Sequence, residues 1–229
     1  MAETAVKTQR KIEPLLSKRN RKLVTDPFND NNPITVQVLG ICSALAVTAK
    51  LVPAIVMGIS VTVVIAFGNV VISAIRNLIP NRIRIIVQLV VVAALVILVD
   101  QVLRAFAYDV SKQLSVFVGL IITNCIIMGR FEAFALGNTP WRSFLDGVGN
   151  GAGYGLILVT VAFFRELLGS GTLFGFPILG NSTPGQETGL FAMGYHNNGF
   201  MLLAPMALIA VGIIIWVQRA YNKKLIEKN

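Results

Sequence analysis

The chain has 229 residues, of which 55% are hydrophobic and only 14% charged, with a mean hydropathy of +0.71. A soluble domain of this length carries roughly a quarter charged residues; here the charges crowd into short stretches between long apolar ones, which excludes an ordinary soluble domain and indicates an integral membrane protein. The net charge of +9 falls beside apolar segments, where each basic side chain gains about 1 kcal/mol against anionic head groups, so it calls for a lipid bilayer as partner and for no nucleic acid.

Residues 1–32 form a basic segment ("KTQRKIEPLLSKRNRKL") without the short apolar core and small-residue cleavage site of a signal peptide. It is expected to be a flexible cytoplasmic tail. Six apolar segments follow, at 33–51, 53–75, 83–107, 113–130, 147–168 and 199–217. Each is long enough, or nearly so, to cross about 30 Å of hydrocarbon as a helix. The runs are continuously apolar rather than alternating, which argues against a barrel. Residues 218–229 are read as a C-terminal tail. With six spans, one side of the membrane holds 16 of the 20 Lys and Arg residues and the other holds Lys50, Arg104, Lys112 and Arg165. That asymmetry predicts both termini in the cytoplasm.

The only two cysteines lie inside apolar runs, in "VLGICSALAVT" (38–48) and "GLIITNCIIMGR" (119–130). These are spans 1 and 4, each the first of three and each led in by a polar stretch ("NDNNP" and "YDVSKQ"). Span 1 is short and leaves through Lys50, and span 4 is interrupted by Gly129-Arg130 before apolar character resumes in "FEAFAL". The expected fold is therefore all-α, with six transmembrane helices in an inverted 3+3 repeat whose halves are 33–107 and 113–217. Folds of that kind build their sites near the midplane from interrupted helices in matching positions. Inversion would bring Cys42 and Cys125 towards each other. From the residues alone, two readings stay open. A cysteine in a membrane helix is usually a small buried hydrophobe, which would suit a secondary transporter. Alternatively the thiols are soft metal ligands. An iron–sulfur cluster normally needs four, so another subunit would have to supply the rest.

Three stretches carry a resemblance: "NNPITVQVLGICSALAVT" (31–48), "VDQVLRAFAYDVSKQLSVFVGLIITNCIIMGRFEAFA" (99–135) and "DGVGNGAGYG…FFRELLGSG" (146–171). Together they resemble the family of D-type subunits of the bacterial Na⁺-translocating NADH:quinone oxidoreductase, the Nqr complex, from about residue 30 to 217. The related Rnf complex, which couples ferredoxin and NAD, has a counterpart sharing the "TNC…GR.EAFA" core, but "SKQLSVFVGLI" and "FFRELLGSG" look nearer to Nqr. The resemblance implies a six-helix subunit paired with a paralogous E-type subunit of opposite topology. Each would give two cysteines, here Cys42 and Cys125, to a shared [2Fe–2S] cluster in the membrane. It further implies electron flow from a cytoplasmic NADH-oxidising subunit to a flavin-carrying one outside, within a translocase. Ser43, Thr123 and Asn124, next to the cysteines, are then candidate donors around the cluster, or else hydrogen-bond the helices together.

The remaining signals are weaker. The glycines of "DGVGNGAGYG" do not have the spacing of a dinucleotide loop and follow no strand, so no NADH is expected on this chain. Gly147, Gly151 and Gly155 instead share one helix face, suited to close helix packing. "SGTL" (170–173) departs from the motif that carries covalent flavin in other subunits of the resembling complex, so no flavin is expected either. Asp100 in span 3 and Asp146 at the cytoplasmic mouth of span 5 are candidates for a Na⁺ path, because carboxylates near a membrane are costly. Asp100 has structural pairing as its alternative, and Asp146 could simply cap span 5. Glu166 is expected to pair with Arg165 or Arg104. His196 and the sequon-like "NST" (181–183) read as outer-loop residues.

Overall fold

A computed structural model describes residues 18–29, 31–80, 82–106, 119–174, 176–177 and 199–221. Among these, four helices are long and apolar enough to cross a membrane. They are α3 (Leu51–Ile75), α4 (Arg84–Phe106), α6 (Pro140–Ser170) and α7 (Ala204–Tyr221), and they fall on predicted spans 2, 3, 5 and 6. Predicted spans 1 and 4 do not form helices of spanning length. The first holds only the seven-residue α2 (Ile41–Val47). In the fourth, residues 113–118 lie outside the described residues, 119–122 are helical, and the chain breaks at Thr123-Asn124. It resumes as α5 (Cys125–Arg130), which runs on as a π-helical stretch over Phe131–Ala135.

Local chemistry explains the first of these breaks. The Asn32 carboxamide oxygen accepts from the backbone N–H groups of Ile34 and Thr35, at 3.0 and 3.3 Å, a turn that competes with helix. Val38 and Gly40 then take left-handed backbone angles, with φ of 59° and 83°. For a β-branched residue such as Val38 that is strained, and it rules out continuous helix into α2.

The N-terminal segment also departs from expectation. Residues 18–29, read as flexible tail, form helix α1 (Lys18–Asn29) and lie against α6. Its backbone sits in a groove opened by two glycines: a Cβ on Gly149 would come 2.7 Å from the Leu23 carbonyl oxygen, and one on Gly153 would come 2.7 Å from that of Pro27. Polarity hid this helix, because a docking face made of backbone and glycine leaves no apolar stripe to read.

The opposite face of α6 meets α3, and this crossing is the centre of the fold. Hydrophobic burial offers little drive between helices in lipid, so close backbone approach and dispersion must hold them. Gly147, Gly151 and Gly155 provide that approach against Ala66, Thr62 and Gly58 in antiparallel order. The expected small-residue face is therefore a helix contact, and the intervening Gly149 and Gly153 receive α1. Two boundaries move. Helix α6 starts at Pro140, with Thr139 as N-cap, rather than at 147, because proline is favoured in a first turn. Asp146 therefore lies well inside the helix and is not its cap. The sixth predicted span opens with a 3₁₀ turn (Gly199–Leu202) before α7. Helix α6 ends at Gly171, φ 66°, the left-handed cap that glycine favours. A two-residue hairpin follows, β1 (Thr172–Leu173) against β2 (Phe176–Pro177).

Candidate metal centre

Gly40 and Asn124 are the N-caps of α2 and α5, and each cysteine lies in the first turn of its short helix. The two breaks thus deliver both thiols to one place. Gly40 donates its N–H to Cys125 Sγ at 3.0 Å, from the first half of the chain to the second. The Cys42 thiol is near enough to Cys125 for the two groups to interact, and it lies near the backbone N–H of Ser43. Both thiols are free and exposed at the surface of the chain. They are not packed inside the fold, as a purely structural cysteine would be.

Behind the thiols, away from their exposed side, is a buried polar network. Ser43 donates to the Gly40 carbonyl at 2.8 Å, and its oxygen lies 2.6 Å from the Tyr154 hydroxyl. The Asn124 amide donates to Ser43 at 3.3 Å and to Tyr154 at 3.4 Å, while its oxygen accepts from Ile126 N–H. Ser43, Asn124 and Tyr154 are all fully buried. Of the three polar side chains beside the cysteines, Ser43 and Asn124 are brought together, and both hold backbone rather than donate to sulfur. Thr123 is exposed and donates back to the Gly119 carbonyl at 3.3 Å. Gly40 and Tyr154 were not anticipated. Tyr154 sits inside a glycine-rich stretch whose spacing speaks only of helix contacts, and a backbone N–H leaves no mark in a sequence.

The charged groups are distributed around this centre. Asp146 is buried and takes a two-pronged ion pair from Arg130, with Nε donating to Oδ2 at 3.0 Å; Asn150 donates to its Oδ1 at 3.1 Å. Around it the Asn69 Oδ1, Ser143 Oγ and Asn150 Oδ1 atoms are buried without a hydrogen-bond partner. Asp100 pairs with Arg104, one turn along α4, at 2.9 Å. Glu166 differs from expectation: its carboxylate accepts from the N–H of Leu51 and so caps the start of α3. A carboxylate at a helix N-terminus satisfies an orphan donor and favours the dipole. Arg165, buried, donates to Thr48 Oγ1 at 2.5 Å and to the carbonyls of Met201 and Leu202 at 3.1 and 2.8 Å. Arg76, directly after α3, likewise donates to the carbonyl of Asn138, in the turn that leads into α6, at 2.6 Å. Glu132, on the π-helical stretch, was also missed; it pairs with Arg84 and accepts from Gln88 at 3.3 Å.

Among the described residues no group of three or more His, Cys, Asp or Glu side chains could hold a metal. What exists is a pair of adjacent thiols, open on one side and backed by N–H donors. That fits half of a four-cysteine site. A family profile described as "Rnf-Nqr subunit, membrane protein" matches residues 20–215.

The chain belongs to the Rnf-Nqr family.

Within it, the chain is 57% identical to the D subunit of the Na⁺-translocating NADH-quinone reductase of Photobacterium profundum over 211 residues, 92% of this chain and 97% of the relative. The same subunit from Haemophilus ducreyi is 57% identical over 91% of this chain and 97% of its own length. That of Serratia proteamaculans is 56% identical over 93% of this chain and 98% of its own. These relatives are subunits of a translocase, and the Rnf-Nqr profile together with the four apolar helices makes the chain a membrane protein.

Proposed function

We propose that this chain is the D-type subunit of a Na⁺-translocating NADH-quinone reductase, and that Cys42 and Cys125 hold half of a [2Fe–2S] cluster whose other two thiolates come from a paralogous E-type subunit. The observation that carries the reading is the thiol pair itself: adjacent, exposed on one side, and served by the Gly40 N–H. Thiolates near a bilayer centre are tolerable when a metal neutralises them, and donors to sulfur tune such a group's potential. A cluster held there supplies a one-electron stepping stone part-way across the insulating layer. This chain's own part is to bind and orient: the α2 and α5 breaks present the sulfurs, and the Ser43–Asn124–Tyr154 network holds those breaks in register. The other subunits, NADH-oxidising and flavin-carrying, do the remaining chemistry, in a bacterial inner membrane with both termini of this chain cytoplasmic.

An inverted repeat of six membrane segments over residues 33–217 is the architecture we infer, with residues 1–32 and 218–229 flanking it. Its support is the recurrence of short broken helix, long helix and third helix, and the reciprocal arginines. Arg76 directly follows the 25-residue α3 and holds the break before α6, while Arg165 stands as far from Pro140 as Arg76 does from Leu51 and holds the break before α3. The contacts Gly58–Gly155 and Ala66–Gly147 likewise flank Thr62–Gly151 symmetrically. For sodium, Asp146 is the better placed of the two carboxylates, with unpartnered oxygens of Asn69, Ser143 and Asn150 nearby. Both carboxylates have an arginine beside them, Arg130 for Asp146 and Arg104 for Asp100, so the unpartnered oxygens are what favours Asp146.

The test is anaerobic purification of the complex from cells carrying the wild type or Cys42→Ser, with iron and sulfide counts and the reduced EPR spectrum. Loss of one [2Fe–2S] signal from an assembled variant, with electron flow to the outer flavin stalled, is the expected result. Unchanged iron and electron flow would make Cys42 a packing residue and return the chain to the transporter reading.

A further inference from the structure

Three groups flank the two sulfurs, and one side chain touches all three. The Tyr154 ring lies against Gly40, close enough that a Cβ there would come within 2.9 Å of Cε2. Its hydroxyl meets Ser43, next to Cys42, at 2.6 Å and Asn124, the cap of the Cys125 helix, at 3.4 Å. The residue is fully buried, on a third element, the central helix α6. Donor directions close without conflict. Ser43 gives its proton to the Gly40 carbonyl, so Tyr154 gives its own to Ser43, and Asn124 donates to both oxygens. The backbone N–H on the Cys125 sulfur is that of Gly40, whose φ of 83° aims it there. The Tyr154 ring backs the same residue.

The geometry points to Tyr154 as a positioning residue for the metal centre: it touches neither sulfur ligand directly, but fixes the Gly40 N–H on Cys125 and the register of the two cysteine-bearing helices. This rests on the proposed cluster at Cys42 and Cys125. A donor to a cluster sulfur stabilises the extra electron of the reduced state, so weakening it lowers the reduction potential. Buried hydroxyl networks act as a unit, and Tyr154→Phe removes the hydroxyl while keeping the ring against Gly40.

The experiment uses the whole purified complex, with redox titration of the [2Fe–2S] EPR signal in wild type, Tyr154→Phe, Ser43→Ala and the double variant. Tyr154→Phe is expected to keep its iron and to titrate lower, by about 59 mV for a tenfold change in a one-electron equilibrium. Ser43→Ala is expected to shift the same way, and the double variant by less than the two shifts added, because both single variants break the shared Ser43–Tyr154 hydrogen bond. Should Tyr154→Phe fail to assemble, Ser43→Ala alone carries the test. An unshifted potential in whichever of these variants assembles overturns the inference, as does full additivity in the double variant. Cys42→Ser in the same series separates the two ideas. Retained iron there refutes the cluster itself, whereas lost iron with an unshifted Tyr154→Phe refutes only the role of Tyr154.

Discussion

Replacing Gly151 by alanine tests how the central crossing is held. A Cβ at this position would come 2.6 Å from Thr62 Cα, 2.7 Å from its Oγ1 and 2.8 Å from its Cβ, where ordinary contact begins near 3.4 Å. Backbone cannot swing aside as a side chain can, so α3 and α6 must part by about 1 Å at this contact. A gap of that size forfeits a quarter to a half of each atom pair's dispersion, itself about 0.1–0.2 kcal/mol. Over roughly 30 such pairs this comes to about 1–3 kcal/mol, the range typical of an overpacked core. In the purified complex, that loss lowers the midpoint of thermal disassembly by about 2–12 °C for a chain of this size. The series has a built-in order. Gly147→Ala meets Ala66 Cα at 2.7 Å and is expected to cost about as much, whereas Gly155→Ala meets Gly58 at 3.6 Å and Gly212→Ala has nothing within 4 Å. If Gly151→Ala is as stable as Gly212→Ala, the backbone contact does not hold the fold and the reasoning is wrong.

Other outcomes follow from the charged and strained positions. Asp146→Asn leaves the Arg130 guanidinium buried without a counter-charge and is expected to cost about 3–5 kcal/mol, read as lost yield of assembled complex. Arg130→Met with Asp146→Leu should restore assembly but not Na⁺ transport; full transport in that double variant would remove Asp146 from the sodium path. Arg165→Ala strips donors from Thr48 and the 199–202 turn, at about 1.5–3 kcal/mol for each lost charged hydrogen bond, and should speed limited proteolysis between α6 and α7. Cleavage at the wild-type rate would mean the turn is held by other contacts. Gly40→Ala combines about 1–2 kcal/mol of left-handed backbone strain with a clash against Tyr154, and is expected to lose or distort the EPR signal before the complex falls apart. A wild-type spectrum would show that the Gly40 backbone is not set by this angle.

The sequence by itself determined a good deal here. Long, continuously apolar runs read as membrane helices, because lipid leaves backbone groups only partners within the protein and a barrel strand would alternate, and so α3, α4, α6 and α7 were legible to within a few residues, apart from the start of α6. The pair of cysteines in matching places, and glycines four apart on one face, could also be read, since both are patterns of residue type along the chain. What only the tertiary structure decided lies in contacts made across it. Helix α1 was hidden because glycine and backbone, not an apolar stripe, form its seat on α6. Glu166 was expected to pair with an arginine, but the nearest orphan donor proved to be the N–H of Leu51, which folding brings beside it from 115 residues away in sequence. The Gly40 N–H on Cys125 and the Tyr154 hydroxyl behind it were invisible for the same reason. Backbone donors are common to nearly every residue, and only the breaks before Cys42 and Cys125, brought together by the crossing of α3 and α6, aim one of them at a sulfur.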